Sequence, residues 1–389
     1  MTSSCSIVFF ENPEGVYSPG QILSGRVNLV TKKVKAIKAV TVTIQGYAEV
    51  EWTGEEPQSG ADGHSDTETI TFSARDNYFS TQTNLFTSED GNRFDLMPGE
   101  YEFDFQIKLP DQLPSSFCGK HGEIRYEVVC TINRPWRFNN VFKHPFTIVS
   151  AANLNVNPIY QQPVDRSTIK YFSLICCCGD GGNILLTGYI PHSGFAPGQF
   201  VPVKASIKNL SKIEYHEVKI KLIQMTEFRS CNPRPKSNYE KIVVTLKRFD
   251  IVDQLPEREL NCNLSIPPLP PSSFSTCNII EISYLVEIQL KTKGIHTNMF
   301  VRLPITIGTV PLFLGAAPEY SIVTSQPLSL QRGVNGNQFD GLLLTAPPSY
   351  EEAMKYGPQY IRKTDETERV TQTEFTPKYP VYHYSSENS

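Results

Sequence analysis

The chain lacks any long hydrophobic run. Its first fifteen residues contain no basic stretch and only four consecutive apolar positions, Ile7 to Phe10, which are too few for the core of a signal peptide. Elsewhere no apolar run approaches the length of about eighteen residues that a membrane-spanning helix needs. We therefore expect a cytoplasmic protein.

An excess of positive charge is also missing, because the net charge is −4 at pH 7. Without that excess the chain cannot neutralise the phosphates of a nucleic acid, so nucleic acid is excluded as the main partner. The nine cysteines are odd in number and irregularly spaced. In a chain long enough to bury its own core, that pattern indicates reduced thiols and not a disulfide framework.

Signatures of catalysis are absent as well. The sequence has no Gly-x-Ser-x-Gly elbow, no phosphate-binding loop and no His-Glu-x-x-His pair, and its seven histidines are scattered. The glycine-rich stretch Gly179 to Gly182 lacks the helix that would make it a phosphate cradle. We predict a protein that is not an enzyme and that uses no cofactor and no metal.

What the chain does contain is a pattern of short β-strands. The 29 prolines and 24 glycines leave little room for long helices. Residues 101 to 109 alternate apolar and polar side chains, and the same alternation recurs at Val40 to Ile44, Ile124 to Val128 and Val218 to Leu222. Many short alternating strands separated by glycine and proline predict an all-β fold made of sandwiches.

An internal repeat divides the chain into two copies. Pro19-Gly20-Gln21 recurs as Pro197-Gly198-Gln199, and later Pro114 to Phe117 is matched by Pro271 to Phe274. The two motifs lie closer together in the second copy than in the first, so the second copy is shorter between them. We expect a polar loop inserted in the first copy, Gly54 to Thr69, to account for most of the difference. The repeat indicates two copies of one sandwich.

The two copies predict domains at residues 1–150 and 167–310, and a third region follows at 311–389. This last region has no cysteine and no sustained alternation, and it is rich in serine, threonine, proline, asparagine and glutamine. Such a composition cannot bury enough apolar surface to order a chain, so we expect a disordered tail that contributes nothing to either core. Its seven tyrosines are unusual, because exposed aromatic residues in such tails commonly belong to recognition motifs.

Five features, taken in order, carry a resemblance to a known family. They are the paired Pro-Gly-Gln turns, the Leu-Pro…Leu-Pro-Ser-Ser-Phe block at 109–117, the cysteines at 176–178, the segment Leu303 to Thr309, and Pro347 to Ala353 in the tail. Together they resemble an arrestin-domain-containing protein of the α-arrestin class. The resemblance implies two arrestin-type, immunoglobulin-like sandwiches with facing concave surfaces.

The same resemblance implies a function. Proteins of this class are trafficking adaptors that bring WW-domain ubiquitin ligases of the HECT type to membrane receptors or transporters. On that basis we expect ubiquitination, endocytosis and sorting of a membrane cargo, with the adaptor recruited from the cytoplasm to the plasma membrane and endosomes. No enzymatic activity of its own is implied.

The tail motif Pro347-Pro348-Ser349-Tyr350 can be interpreted without the family. Two prolines favour a polyproline II helix, whose rings dock between the aromatic residues of a WW groove with little entropy left to lose. Tyr350 follows the first proline by one turn of that helix and fills a neighbouring pocket. A proline-rich turn is the alternative, and it explains the prolines but not the tyrosine. We predict that Pro347, Pro348, Ser349 and Tyr350 bind a WW domain.

A cluster of cysteines opens the second copy. Cys176, Cys177 and Cys178 follow an apolar stretch and lack the paired ligand spacing of a zinc site. They are either inert thiols at the edge of the second sandwich or acceptors of S-acylation. Acylation would add membrane affinity.

A cluster of lysines lies in the first copy. Lys32, Lys33, Lys35 and Lys38 crowd a predicted loop and strand edge. They form either a solvated face or a contact for acidic cargo tails or lipid headgroups. We expect peripheral membrane association.

Two other functions remain open. An arrestin-fold scaffold of the retromer-associated type would sort cargo without a ligase, and the proline-tyrosine motif argues against it. A redox-linked regulator would need a reactive cysteine. The stretch Leu255 to Arg258, where the resemblance to thioredoxin-binding relatives would place one, contains none. Thioredoxin binding is therefore not predicted.

Overall fold

The computed structural model describes residues 3–59, 65–87, 93–173, 180–273, 276–294, 296–313, 369–372 and 375–382. Within these ranges the regular elements are β-strands apart from two short 3-10 turns, Leu154–Val156 and Pro158–Gln161. No helix in the described part of the chain has the length and apolar character needed to span a membrane. The strands form two successive sandwiches, so the predicted all-β fold is confirmed.

The first sandwich packs a three-stranded sheet against a larger one. Its strands are β1 (Ser3–Phe9), β2 (Val16–Tyr17), β3 (Ile22–Thr31), β4 (Lys35–Ile37), β5 (Ala39–Ser59), β6 (Ser65–Thr87), β7 (Phe94–Leu96), β8 (Gly99–Lys108), β9 (Phe117–Cys118), β10 (Gly122–Asn133) and β11 (Asn140–Ile148). The small sheet has the order β1-β3-β8 and the large one the order β2-β11-β10-β5-β6, with β9 beside β10. Strands β4 and β7 pair separately.

The second sandwich repeats this plan with a four-stranded and a five-stranded sheet. Its strands are β12 (Val164–Ser173), β13 (Asp180–Ile190), β14 (Gly194–Phe195), β15 (Phe200–Asn209), β16 (Tyr215–Ser230), β17 (Lys236–Asp250), β18 (Glu257–Ser265), β19 (Ile280–Thr292) and β20 (Met299–Ile307). The sheet orders are β12-β13-β15-β18 and β14-β20-β19-β16-β17. A last strand, β21 (Arg369–Gln372), belongs to the tail and pairs with β11 of the first sandwich.

The repeated Pro-Gly-Gln turns have the same structure in both copies. Gly20 has φ 79° and Gly198 has φ 92°, a region that residues with a Cβ atom adopt at a cost. The Gln21 side chain accepts the N–H of Ser18 at 2.8 Å, and the Gln199 side chain accepts the N–H of Ala196 at 2.7 Å. Glycine supplies the backbone angle and glutamine closes the turn, which explains why this tripeptide recurs.

The second repeated motif also has the same structure in both copies, but the residues that correspond in the structure are shifted by one from those that match in the sequence. Tyr126 donates its hydroxyl to the carbonyl of Pro114 at 2.7 Å, and Tyr284 does the same to Pro270 at 2.7 Å. Residue Pro270, and not Pro271, is therefore the counterpart of Pro114. The second copy has one more proline at this point, Leu269-Pro270-Pro271, so Pro114 has two possible partners in the sequence. The hydrogen bond from the buried tyrosine hydroxyl selects Pro270.

The predicted polar loop Gly54 to Thr69 is wrong in its conformation. Strand β5 continues to Ser59, β6 begins at Ser65, and the pairing runs from Gly54 with Ile70 to Ser59 with Ser65. The insertion therefore lengthens a hairpin instead of forming a loop. Its carboxylate Glu56 contacts Lys236 of the second sandwich at 2.9 Å, so the polar side chains of the extension pair across the domain boundary.

A seam of polar and aromatic contacts joins the sandwiches. Ser73 and Asn232 exchange backbone hydrogen bonds of 2.9 Å in each direction. Ala152 donates its N–H to the hydroxyl oxygen of Thr309 at 2.7 Å. The ring of Phe228 lies 6.4 Å from that of Phe117, measured between centroids. These contacts place the two sandwiches side by side, and the end of the chain contacts both of them.

Candidate functional site

Two of the predicted sites fall outside the described residues. These are the WW-binding motif Pro347, Pro348, Ser349 and Tyr350, and the cysteine cluster Cys176, Cys177 and Cys178. Both stay predictions. The stretch that carries the motif is nevertheless bounded by described residues, Phe313 on one side and Arg369 on the other.

The predicted lysine cluster is only partly a surface. Lys32, Lys33 and Lys38 are exposed, but Lys35 is 4% exposed and its ammonium contacts the Ser3 hydroxyl. The reason is the strand β4, in which Lys35 shares the inward face with Ile37. Lys35 is therefore removed from the group that can contact cargo or lipid, and the other three lysines remain.

The end of the tail packs on the first sandwich. Strand β21 runs parallel to β11, with Arg369 opposite Asn140 and Gln372 opposite Lys143. Further on, the Phe375 ring lies 5.4 Å from the guanidinium carbon of Arg125. These contacts correct the expectation that the tail contributes nothing to the folded region.

The next residues of the tail continue across the seam. Lys378 forms an ion pair of 2.6 Å with Glu14, and the Tyr379 hydroxyl donates to the carbonyl of Ser116 at 3.0 Å. Both partners, Glu14 and Ser116, belong to the first sandwich. The prolines on either side, Pro377 and Pro380, are buried.

Tyr382 completes the crossing on the second sandwich. Its N–H donates to the carbonyl of Pro197 at 3.1 Å, and its hydroxyl donates to the carbonyl of Thr309. The residue is 5% exposed. A Cβ atom on Gly198 would lie 1.9 Å from the Tyr382 carbonyl oxygen, so the glycine of the second turn leaves the space in which the tail lies. We name residues 375–382 the tail strap.

The outer face of the second sandwich carries a cluster of cations around one carboxylate. Glu287 of β19 contacts Lys221 at 3.2 Å, Lys241 at 3.3 Å and Arg302 at 3.1 Å, and its side chain is 2% exposed. The core members of β19, such as Val286 and Ile288, point the other way. One negative charge faces three positive ones, so the cluster is positively charged.

The protonation state of Glu287 follows from this arrangement. Burial by itself raises the pKa of a carboxyl, but the hydrogen bonds from Arg302, Lys221 and Lys241 outweigh it and hold the pKa of Glu287 below its ordinary value of 4.5. Lys241 and Arg302 remain substantially solvent-exposed. They leave positive groups accessible on this face to an acidic ligand.

The first sandwich has a related cluster that the tail partly covers. Glu127 of β10 is fully buried and accepts from Gln45 at 2.7 Å and Arg125 at 3.2 Å, with Lys143 at 3.6 Å. Arg125 is itself buried, and the Phe375 ring lies over it. In this copy the guanidinium of Arg125 is enclosed by the protein's own chain, whereas Lys143 stays partly exposed.

No disulfide joins the cysteines of the described residues, and several of their thiols are shielded. A hydrogen bond with Cys5 and burial together raise the pKa of Cys130 well above its ordinary value, and burial raises that of Cys262. A raised pKa lowers the fraction of reactive thiolate. Among the described residues no group of three or more histidine, cysteine, aspartate or glutamate side chains is arranged to hold a metal ion.

Sequence reasoning missed the tail strap, although a signal for it was present. Four of the seven tail residues from Thr376 to Tyr382 are proline or tyrosine, a pattern that differs from the polar tail around it. Thr376-Pro377-Lys378-Tyr379 resembles an incomplete WW-binding motif. The structure shows this segment occupied by contacts within the chain.

Comparison with known proteins identifies both sandwiches. Residues 5–155 match the N-terminal domain of arrestin (or S-antigen), and residues 180–312 match its C-terminal domain.

Relatives match over most of their length. Arrestin domain-containing protein 17 of Caenorhabditis elegans is 25% identical, over 96% of this chain and 98% of the relative. Human arrestin domain-containing protein 4 is 26% identical, over 83% and 75% respectively. Arrestin domain-containing protein 1 of Rattus norvegicus is 28% identical, over 89% and 71%.

Proposed function

We propose, from the premise that this chain belongs to the arrestin-domain-containing proteins, that it is a non-enzymatic trafficking adaptor. In this proposal the tail recruits a WW-domain ubiquitin ligase of the HECT type, and the sandwiches hold a membrane receptor or transporter. Ubiquitin is transferred to the cargo, which is then internalised and sorted. The adaptor works in the cytoplasm, at the plasma membrane and on endosomes.

The observation that carries the proposal is the motif Pro347-Pro348-Ser349-Tyr350. A polyproline II segment presents its rings at intervals of three residues, so the first proline and the tyrosine reach neighbouring pockets of a WW groove. The described contacts of the tail begin again at Arg369, beyond the motif. The motif therefore lies between two attachments to the sandwiches and not at a free end.

Cargo binding is supported by the outer face of the second sandwich. Lys241 and Arg302 are exposed beside the buried Glu287, and Lys221 completes a cluster with surplus positive charge. Such a surface attracts acidic segments, which the cytoplasmic parts of membrane proteins can supply. The equivalent cluster around Glu127 is partly covered by Phe375, so the second sandwich is the better candidate for this contact.

The test is a titration of a peptide of residues 340–356 against an isolated WW domain from a HECT-type ligase. The unmodified peptide should bind with a dissociation constant on the order of micromolar or weaker, because a short peptide covers little area. Tyr350→Ala removes the ring that fills the pocket, and phosphorylation places about two negative charges there, so both should strongly weaken binding. Tyr356→Ala in the same peptide is the matched control and should bind as the unmodified peptide does.

Pull-downs with the full chain extend the test to cells. The unchanged protein and the Tyr356→Ala variant should recover the ligase, and the Tyr350→Ala variant should not. Equal affinities of all four peptides would contradict the ligase mechanism. That result would leave a ligase-independent sorting scaffold as the function to examine.

A further inference from the structure

The hairpin tip between β10 and β11 exposes two large aromatic side chains. Trp136 is 98% exposed and Phe138 is 65% exposed. The tip is closed by a hydrogen bond of 3.0 Å from the Arg134 N–H to the Asn139 side-chain oxygen. Rings in this position contribute nothing to the core, and exposed aromatic groups of this size commonly mark an interaction site.

The backbone of the tip supports that view. Trp136 has φ 58°, in the left-handed region, and it is the one non-glycine residue with positive φ among the described residues. A side chain with a Cβ atom occupies that region at a cost on the order of 1 kcal/mol. The strained backbone presents the indole outward and away from the sandwich.

Basic residues lie at the same end of the sandwich as the aromatic pair. The Lys38 N–H donates to the carbonyl of Asn133 at 2.8 Å, which joins the segment 32–38, including β4, to the base of the tip. The two stretches 31–39 and 133–140 contain no acidic residue. Exposed cations at this end of the sandwich include Lys32, Lys33, Lys38, Arg93 and Arg137, against the exposed carboxylates Asp95 and Glu100.

We propose that this end of the first sandwich, which we name the aromatic tip, docks on an anionic lipid bilayer. Trp136 and Phe138 enter the interfacial region, where aromatic rings are favoured, and the lysines and arginines bind the headgroups. Two rings on a narrow convex tip match a deformable lipid surface better than a preformed protein pocket. The exposed lysines bring charge complementarity to the same partner. This inference goes beyond ligase recruitment and does not depend on it.

The tryptophan content allows a direct measurement on the full chain. Of the two tryptophans, Trp52 is buried and its ring stacks on Phe72, so a change in emission on membrane binding reports Trp136. Vesicles of phosphatidylcholine with phosphatidylserine should shift the emission to shorter wavelength. Vesicles of phosphatidylcholine alone should give a much smaller shift.

Sedimentation with the same vesicles separates the contributions. Trp136→Ala should reduce binding to anionic vesicles by about tenfold, since a large apolar ring no longer leaves water. Lys33→Ala should reduce it by roughly fivefold. The control Val252→Ala alters an almost fully exposed apolar residue of the second sandwich and should leave binding unchanged.

The variants at the tip are expected to fold because their side chains lie in solvent, and circular dichroism checks this. Binding of Trp136→Ala equal to that of the unchanged chain would overturn the proposal. Trp136 emission that does not move on vesicles that the chain does bind would also overturn it. Failure to bind either kind of vesicle would reject a lipid partner and leave a protein as the occupant of the tip.

Discussion

The two Pro-Gly-Gln turns share a backbone conformation and differ in what lies against them. A Cβ atom on Gly20 would meet one oxygen of the Asp111 side chain at 2.8 Å, whereas on Gly198 it would meet the main chain of Tyr382 at 1.9 Å. A side chain such as that of Asp111 can rotate away, but a docked backbone cannot. Of the two equivalent turns, the one at Gly198 therefore forms the surface on which the tail strap docks.

The large sheets differ in a second way. In the first sandwich β5 and β6 have 21 and 23 residues, whereas β16 and β17 of the second have 16 and 15. The extra length carries Glu56 to Arg234 and Lys236. The first copy therefore contributes a long hairpin to the contact between sandwiches, and the second contributes the turn between β16 and β17 and the first residue of β17.

The largest expected effect separates the two glycines. Gly20→Ala should lower the free energy of unfolding by about 1–2 kcal/mol, the cost of a Cβ atom at positive φ. Gly198→Ala should lower it by about 3–4 kcal/mol, because its Cβ atom also displaces the Tyr382 main chain and with it the packing of the Tyr382 ring, worth about 2 kcal/mol. Urea unfolding of both variants measures the difference.

A second background assigns that difference to the strap. In a chain that ends before residue 375, Gly198→Ala should cost no more than Gly20→Ala, since no docked main chain remains for the new Cβ atom to displace. If the extra cost persists in that background, the turn itself and not the tail accounts for it. The difference in stability would then come from the strands that flank each turn.

The charged clusters give the next largest effect. Glu287→Gln should lower the free energy of unfolding near neutral pH by about 2 kcal/mol, because three cations lose their carboxylate. The value is discounted from that of a fully buried pair, since Lys241 and Arg302 are substantially solvent-exposed. Glu127→Gln is the matched change in the first sandwich.

The pH dependence of the Glu287 variant follows from its pKa. The pKa of this carboxyl is lower in the folded chain than its ordinary value of 4.5, so its stabilising contribution is present above about pH 4.5. It is lost as the pH falls through the folded value. The gap between the unchanged chain and Glu287→Gln should therefore shrink from pH 6 to pH 3, and a gap that widens in acid would contradict the assigned direction.

The smallest expected effect tests where the copies are alike. Tyr126→Phe and Tyr284→Phe each remove a buried hydroxyl and leave a proline carbonyl without its donor, at about 1 kcal/mol apiece. Urea midpoints should fall by similar amounts. A much larger loss for one of them would mean that the two tyrosines, although equivalent in geometry, do unequal work in stabilising their sandwiches.

Local chemistry explains which features could be predicted from the sequence. The turns at Gly20 and Gly198 need a residue without a Cβ atom and a side chain that closes the turn. Both requirements are met within the tripeptide Pro-Gly-Gln, so the sequence predicts the turn. Strand alternation likewise depends on neighbours two residues apart. The burial of Lys35 also had a signal in the sequence, because Lys35 lies two residues before Ile37 and so faces the same side of the strand. Its partner, the Ser3 hydroxyl, lies on another strand and has no such local signal.

Contacts between distant parts of the chain explain what could not be predicted. Tyr382 meets residues near 197 and 309, and nothing in its immediate sequence names them. The extension of β5 and β6 contains glutamate, serine, threonine and glycine, a composition equally suited to a loop. Its strand pairing is supported by Arg234 and Lys236 of the other sandwich. These residues are far away in the sequence, so the neighbouring residues alone could not predict the pairing.

The parallel pairing of β21 also sets a limit on distance. Arg369 lies opposite Asn140, the residue at which the chain leaves the aromatic tip. Arg369 follows Tyr350 by nineteen positions. A chain gains at most about 3.5 Å per residue, so Tyr350 stays within about 70 Å of that end on any path. A ligase bound at Tyr350 would therefore reach only lysines within a limited radius of this end of the sandwich. Distance from that anchor would decide which lysines can receive ubiquitin, whatever the affinity of the ligase for the motif.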